Sequence, residues 1–148
     1  MSQDPISIDL TSEVSGSPGE LWSLLADPSS RPSWMTELRK VEAAPGPLAV
    51  GDRFTGQTSI LFHDFIGESR VTEADPGRLL EEEVVIGARF VSRWTVSPVA
   101  DGGGGSTVRH TIDVEFPSGP FSPIERWVLK RRLLRMQKTT MAKLARRF

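Results

Sequence analysis

Apolar and polar residues alternate with period two near the start of the chain, where Ile6, Ile8 and Leu10 are separated by polar positions. That spacing predicts a strand over about residues 6–14. Ser17-Pro18-Gly19-Glu20 then supplies a helix start, with Ser17 able to cap free amides and Pro18 suited to the first helical position. Leu21, Trp22, Leu24 and Leu25 follow on a short helix, Asp27-Pro28 opens a second short turn, and Pro32 ends it before Trp34. From Leu38 to Phe116 the pattern is almost entirely strand, with predicted segments at 38–43, 53–62, 64–73, 79–86, 88–97 and 106–116. Asp75-Pro76-Gly77 and the run Asp101-Gly102-Gly103-Gly104-Gly105 are turn signals that join antiparallel neighbours. The glycine run precedes a strand and lacks a Gly-Lys-Ser/Thr ending, so it reads as a hairpin loop and not as a phosphate cradle.

The period changes to that of a helix at the end of the chain. Ser122-Pro123-Ile124-Glu125 is a second capping box, and neither Gly nor Pro interrupts the segment from there to Phe148. About 25 residues would form a rod about 37 Å long. Trp127, Leu134, Met141 and Phe148 are expected along one stripe, with Leu133, Met136, Thr140 and Leu144 beside it. An apolar face this wide calls for a broad packing surface, such as an antiparallel sheet, with a cavity between them.

In order and spacing, the stretches Ser17-Pro18-Gly19-Glu20-Leu21-Trp22, Ala26-Asp27-Pro28-Ser29-Ser30-Arg31-Pro32-Ser33-Trp34, Val50-Gly51-Asp52-Arg53-Phe54, Val71-Thr72-Glu73-Ala74-Asp75-Pro76-Gly77-Arg78 and Gly105-Ser106-Thr107-Val108 resemble the START-like, or SRPBCC, superfamily and its polyketide cyclase/dehydrase branch. The resemblance covers nearly the whole chain. It implies an α+β helix-grip fold of the START-like, Bet v1-like kind, with a seven-stranded antiparallel sheet, two short helices and a long C-terminal helix over a mostly apolar cavity. One domain over residues 1–148 is expected, since 148 residues suffice for a single core. The superfamily includes lipid and hormone binders, polyketide aromatase/cyclases, co-chaperones and ribosome-directed toxins, so fold alone leaves activity open.

Composition narrows the chemistry. There is no cysteine and no tyrosine, which removes disulfides, thiolate catalysis and phenolic acids. Two histidines, His63 and His110, do not make a metal site, so neither metal nor cofactor is expected. The N-terminus has no basic-then-apolar leader and no apolar run reaches membrane-span length, which fits a cytoplasmic protein of bacterial style. Residues 124–148 hold nine Lys or Arg and one acid, a net +8 against −9 for the remainder. A solvated outer face explains this helix charge; docking to RNA, ribosome or anionic membrane is the alternative. A monomer or homodimer is expected.

His110 shares a strand face with Val108, Ile112, Val114 and Phe116, and so points with apolar neighbours. It is a core histidine bonded to a neighbour, a ligand contact, or an acid/base group. Glu82 alternates with Leu80, Val84 and Ile86 and faces inward in one of two registers, where it would need an Arg or His partner. Surface pairing is the simpler reading of the Glu81-Glu82-Glu83 run, with Arg70 and Arg93 as partners for Glu81 and Glu83. Given the resemblance, Trp34, Trp94, Trp127, Phe54, Phe62, Phe65 and Phe90 border the cavity; Leu134 and Met141 extend it on the helix side. The expected function is binding of a small hydrophobic ligand: a lipid, polyketide or aromatic metabolite. The alternatives are a cyclase/dehydratase using His110 and Glu82, or a ribosome- or RNA-directed protein using the basic helix.

Overall fold

The computed structural model describes residues 6–35, 38–60, 63–86, 88–100, 102–115 and 123–148, and the side chains of all of these except 59, 60, 63, 123 and 125. The elements are β1 (Ile6–Val14), α1 (Pro18–Leu25), a 3₁₀ turn (Pro28–Ser33), β2 (Leu38–Glu42), β3 (Arg53–Ile60), β4 (His63–Asp75), β5 (Leu79–Ile86), β6 (Ala88–Pro98), β7 (Ser106–Glu115) and α2 (Pro123–Arg147). The strands form one antiparallel sheet in the order β1-β7-β6-β5-β4-β3-β2. This is the helix-grip arrangement, with α2 against one face.

Local signals account for the element ends. Ser17 Oγ accepts the amide of Glu20 at 3.2 Å, and the Asp27 carboxylate accepts that of Ser29 at 3.1 Å. Pro32 lies inside the 3₁₀ turn and does not end it; Ser33 is its last residue. Between β4 and β5 the backbone turns through Asp75-Pro76-Gly77-Arg78, with the Arg78 amide on the Asp75 carbonyl at 2.9 Å and Gly77 at φ +80°. Pro at the second and Gly at the third position suit this geometry. One extra residue, Thr72, interrupts the β4–β5 pairing between Val71 and Glu73. It moves the inward face of β4 from odd to even positions, so Val71 and Ala74 both join the core.

The core has two parts. The larger one gathers Leu21, Leu25, Trp34, Phe54, Val71, Leu80, Trp94 and Val108 around Met141 and Leu144; the smaller one gathers Ile6, Ile8, Ala88 and Val114 around Leu133. On the outer face the strands carry ion pairs, including Arg93–Glu81 at 2.6 Å, Arg89–Glu83 at 2.9 Å, Arg70–Glu83 at 3.7 Å and Arg109–Asp9 at 2.5 Å. The arginines and Asp9 are exposed and Glu81 and Glu83 half-buried, so each pair contributes little beyond setting the sheet register. Among the described residues, no helix is long and apolar enough to cross a membrane.

The buried stripe of α2 differs from the expected one. Leu133, Gln137, Thr140, Met141 and Leu144 are buried, whereas Leu134 is only half-buried and Trp127 is 57% exposed. The reason is geometric. Met141 stands at one edge of the buried arc: on a straight helix Gln137, Leu144, Leu133 and Thr140 lie about 40–100° to one side of it, while Trp127, two drifting heptads away, lies about 40° to the other. It packs instead under the Arg131 guanidinium, 4.8 Å from its ring. The capping box at Ser122 and Glu125 falls outside the described side chains. Leu144→Ala is expected to cost about 2–5 kcal/mol in urea unfolding, while Trp127→Ala costs about 0.5 kcal/mol or less. Equal costs would place the buried face where the seven-residue spacing puts it.

Candidate functional site

A chamber of about 180 Å³ lies between the sheet and α2, and its lining is mostly apolar. Phe54, Val84, Ile86, Phe90, Trp94 and Ile112 line it from the sheet, Met35 from beside the 3₁₀ turn, and Leu133 and Met136 from α2. Part of its space comes from a cross-strand glycine pair, Gly56 opposite Gly67 on β3 and β4. A Cβ on Gly67 would stand 2.5 Å from the Ile86 side chain, so this position has no room for any other residue without displacement.

Polar groups line the chamber floor on four neighbouring strands: Ser69, Glu82, Ser92 and His110. Glu82 pairs across the ladder with Ser92, which pairs in turn with Ile112; one step along, Leu80, Trp94 and His110 are aligned. The register thus turns Glu82 inward, 2% exposed, and corrects the surface reading. The partner that an inward carboxylate requires is Arg31, from the 3₁₀ turn. Arg31 Nη1 donates to Glu82 Oε2 at 2.7 Å, and Nη2 donates both to Glu82 Oε1 and to the Leu25 carbonyl. The guanidinium lies 5.1 Å from the Phe54 ring centre. Arg31 Nε is buried without a hydrogen-bond partner.

His110 is 4% exposed and stacks on Trp94, ring centres 3.8 Å apart and 13° from parallel. Trp34 meets the same Trp94 edge-on at 5.7 Å. Gln137, from α2, places its amide nitrogen 2.8 Å from the His110 carbonyl and 3.3 Å from His110 Nδ1. A carbonyl only accepts, so the amide nitrogen must face it, and Nδ1 is then the acceptor. The ring proton therefore sits on Nε2, which donates to Ser92 Oγ at 2.8 Å. Burial, and secondarily the positive charge of Arg31, push the imidazole down to about 3.

The aromatic and helix candidates separate cleanly. Phe54, Phe90, Trp94 and His110 line the chamber, as does Glu82. Trp34 and Met141 are buried in the core and not on the chamber wall. Phe65, on the face shared with Gly67 and Ser69, is 41% exposed and outside the lining. Trp127 faces solvent, and Leu134 flanks the buried stripe whose neighbours Leu133 and Met136 take the chamber side. Phe62 and the His63 side chain lie outside the described residues. Arg31, Ser92 and Gln137 were not singled out by sequence reasoning. Only Arg31 had a signal, the need of an inward Glu82 for a cation.

The depressed His110 pKa makes stability depend on pH. The unfolded chain takes up this proton near pH 6.5 and the folded one only near 3, so the contribution is complete above pH 6.5 and is lost as pH falls toward 3. Between pH 6.5 and 5 the unfolding free energy should fall with a slope approaching about 1.4 kcal/mol per pH unit from this group. His110→Gln should flatten that segment in urea titrations; an unchanged slope would remove the assignment.

The model of the family described as polyketide cyclase/dehydrase and lipid transport matches residues 5–148. No curated protein matches the chain in sequence. Among solved structures, the Zhui aromatase/cyclase from Streptomyces sp. R1128 superposes with a TM-score of 0.79 at 15% identity, covering 96% of this chain and 92% of the other. A START superfamily protein from Mycobacterium smegmatis gives 0.72 at 14% identity over 96% and 99% of the two chains. Ara h 8.0201 gives 0.66 at 10% identity over 95% and 98%. At these identities the superpositions show a shared fold. With the family match spanning nearly all of its residues, the chain belongs to the polyketide cyclase/dehydrase and lipid transport family.

Proposed function

We propose that the chain binds a small hydrophobic molecule in the chamber between the sheet and α2. The observation that carries this reading is an apolar, aromatic-lined chamber with a few inward polar groups on one wall. Ligand sites are commonly built this way, apolar walls giving affinity and sparse polar groups giving orientation. The family description, which joins cyclase/dehydrase and lipid transport members, agrees with it. So does the likeness to the Zhui aromatase/cyclase, a protein whose own activity implies an organic substrate.

Catalysis by His110 and Glu82 is the less favoured reading. An imidazole pushed down to about 3 is a poor base near neutral pH, and it holds no extra proton to donate there. Glu82 has both carboxylate oxygens engaged by Arg31. Both groups are fixed in place, which suits recognition better than proton exchange.

Calorimetric titration with naphthalene, 2-acetonaphthone and palmitate should show saturable one-to-one binding of at least one of them. Val84→Trp, which fills the chamber, should abolish it while the protein stays folded by circular dichroism. Failure of all three to bind, or binding unaffected by Val84→Trp, would contradict the reading.

A further inference from the structure

The kind of ligand follows from the chamber's size and from which hydrogen-bonding groups it leaves open. A cavity of roughly 150 Å³ lined by aliphatic and aromatic side chains admits one benzene ring, while drug-sized ligands occupy about 300–1,000 Å³. At about 180 Å³ this chamber lies close to the first figure. An extended acyl chain or a multi-ring polyketide exceeds this volume. Trp94, Phe54 and Phe90 line the space, which favours a planar aromatic occupant.

The polar side is set by a relay that begins outside the lining. Gln137 fixes His110 with its proton on Nε2, and Ser92 Oγ accepts that proton on one of its two lone pairs. The Ser92 hydroxyl hydrogen is left to donate, and Ser92 lines the chamber. Arg31 also lines it, though its unpartnered Nε is itself buried. The Ser69 and Thr58 hydroxyls line the chamber as well, and each can donate or accept. The Glu82 carboxylate stands opposite Ser92 in the ladder, so a ligand carboxylate would meet a like charge already paired with the nearby cation. A ligand cation would be opposed by Arg31.

We propose that the chamber selects an uncharged one-ring or fused two-ring molecule bearing a carbonyl oxygen, which accepts the Ser92 hydroxyl hydrogen, with Gln137 as the positioning residue that orients the relay. This deepens the binding function proposed above and rests on it. In the same titrations, 2-acetonaphthone should bind about fivefold to tenfold tighter than naphthalene, the difference one neutral hydrogen bond makes, and palmitate should not bind. Ser92→Ala should reduce that preference to about onefold. Palmitate binding tightest, or 2-acetonaphthone and naphthalene binding equally to the unmodified protein, would overturn the ligand class while leaving the chamber as a binding site. Absence of all binding would instead remove the parent reading.

The relay has a readout independent of ligand and of any variant's folding. Nitrogen-15 correlation spectra of the intact protein should show His110 protonated at Nε2 and unprotonated at Nδ1. Gln137→Leu should shift the His110 ring nitrogens and lower the 2-acetonaphthone preference. A ring protonated at Nδ1 in the unmodified protein would overturn the assignment.

Discussion

The buried Arg31–Glu82 pair is the constraint on which the rest of the site depends. The carboxylate arrives on β5 because the strand register turns it inward, and the guanidinium arrives from a turn 51 residues earlier in the chain. An inward carboxylate without that guanidinium would be a desolvated charge, costly enough to drive β5 into another register or the strand apart. Such a pair adds little net stability over apolar residues of the same shape, since desolvation offsets most of the attraction. What it provides is position. By also donating to the Leu25 carbonyl, Arg31 ties the end of α1, the 3₁₀ turn and the sheet floor to one point.

Around that point the polar groups are arranged so that few are left open. Ser92 is adjacent to Glu82 across the ladder, His110 is stacked on Trp94, and Gln137 reaches from α2 to both the carbonyl and the ring of His110. Gln137 stands on α2 between Leu133, which belongs to one part of the core, and Met141, which belongs to the other. It is the polar link of the helix to the sheet just where the apolar packing divides. Burial keeps His110 neutral, so the chamber holds one paired charge couple and otherwise neutral groups. A site of this kind discriminates by shape and by hydrogen-bond direction more than by charge.

Most of the architecture was legible in the order of residues because each strand has one buried face and each turn has its own chemistry. The period-two runs place β1 and β5 to β7 nearly to the residue, and Ser17 and Asp27 cap the elements they precede. The site was legible only in part. His110 and Glu82 stand out because a polar residue in an apolar alternation marks itself, whereas Phe54, Phe90 and Trp94 follow from the family resemblance. Arg31 does not, since nothing in Ser29-Ser30-Arg31-Pro32 says how its side chain crosses to β5. Ser92 and Gln137 are ordinary residue types whose role exists only through the neighbours that folding brings. Trp127 fails for another reason: the seven-residue repeat through Met141 runs along the edge of the buried arc, and its drift carries Trp127 away from Leu133 and Gln137 toward solvent.

The coupling between Arg31 and Glu82 is measured most directly by urea unfolding of Arg31→Met, Glu82→Leu and the double variant. Each single change should cost about 3–5 kcal/mol, because it strands a buried charge. The double variant should cost at least about 2 kcal/mol less than the two singles together. Single costs below about 1 kcal/mol that simply add would be the behaviour of a solvated surface pair, and would contradict the claim that this pair anchors the chamber.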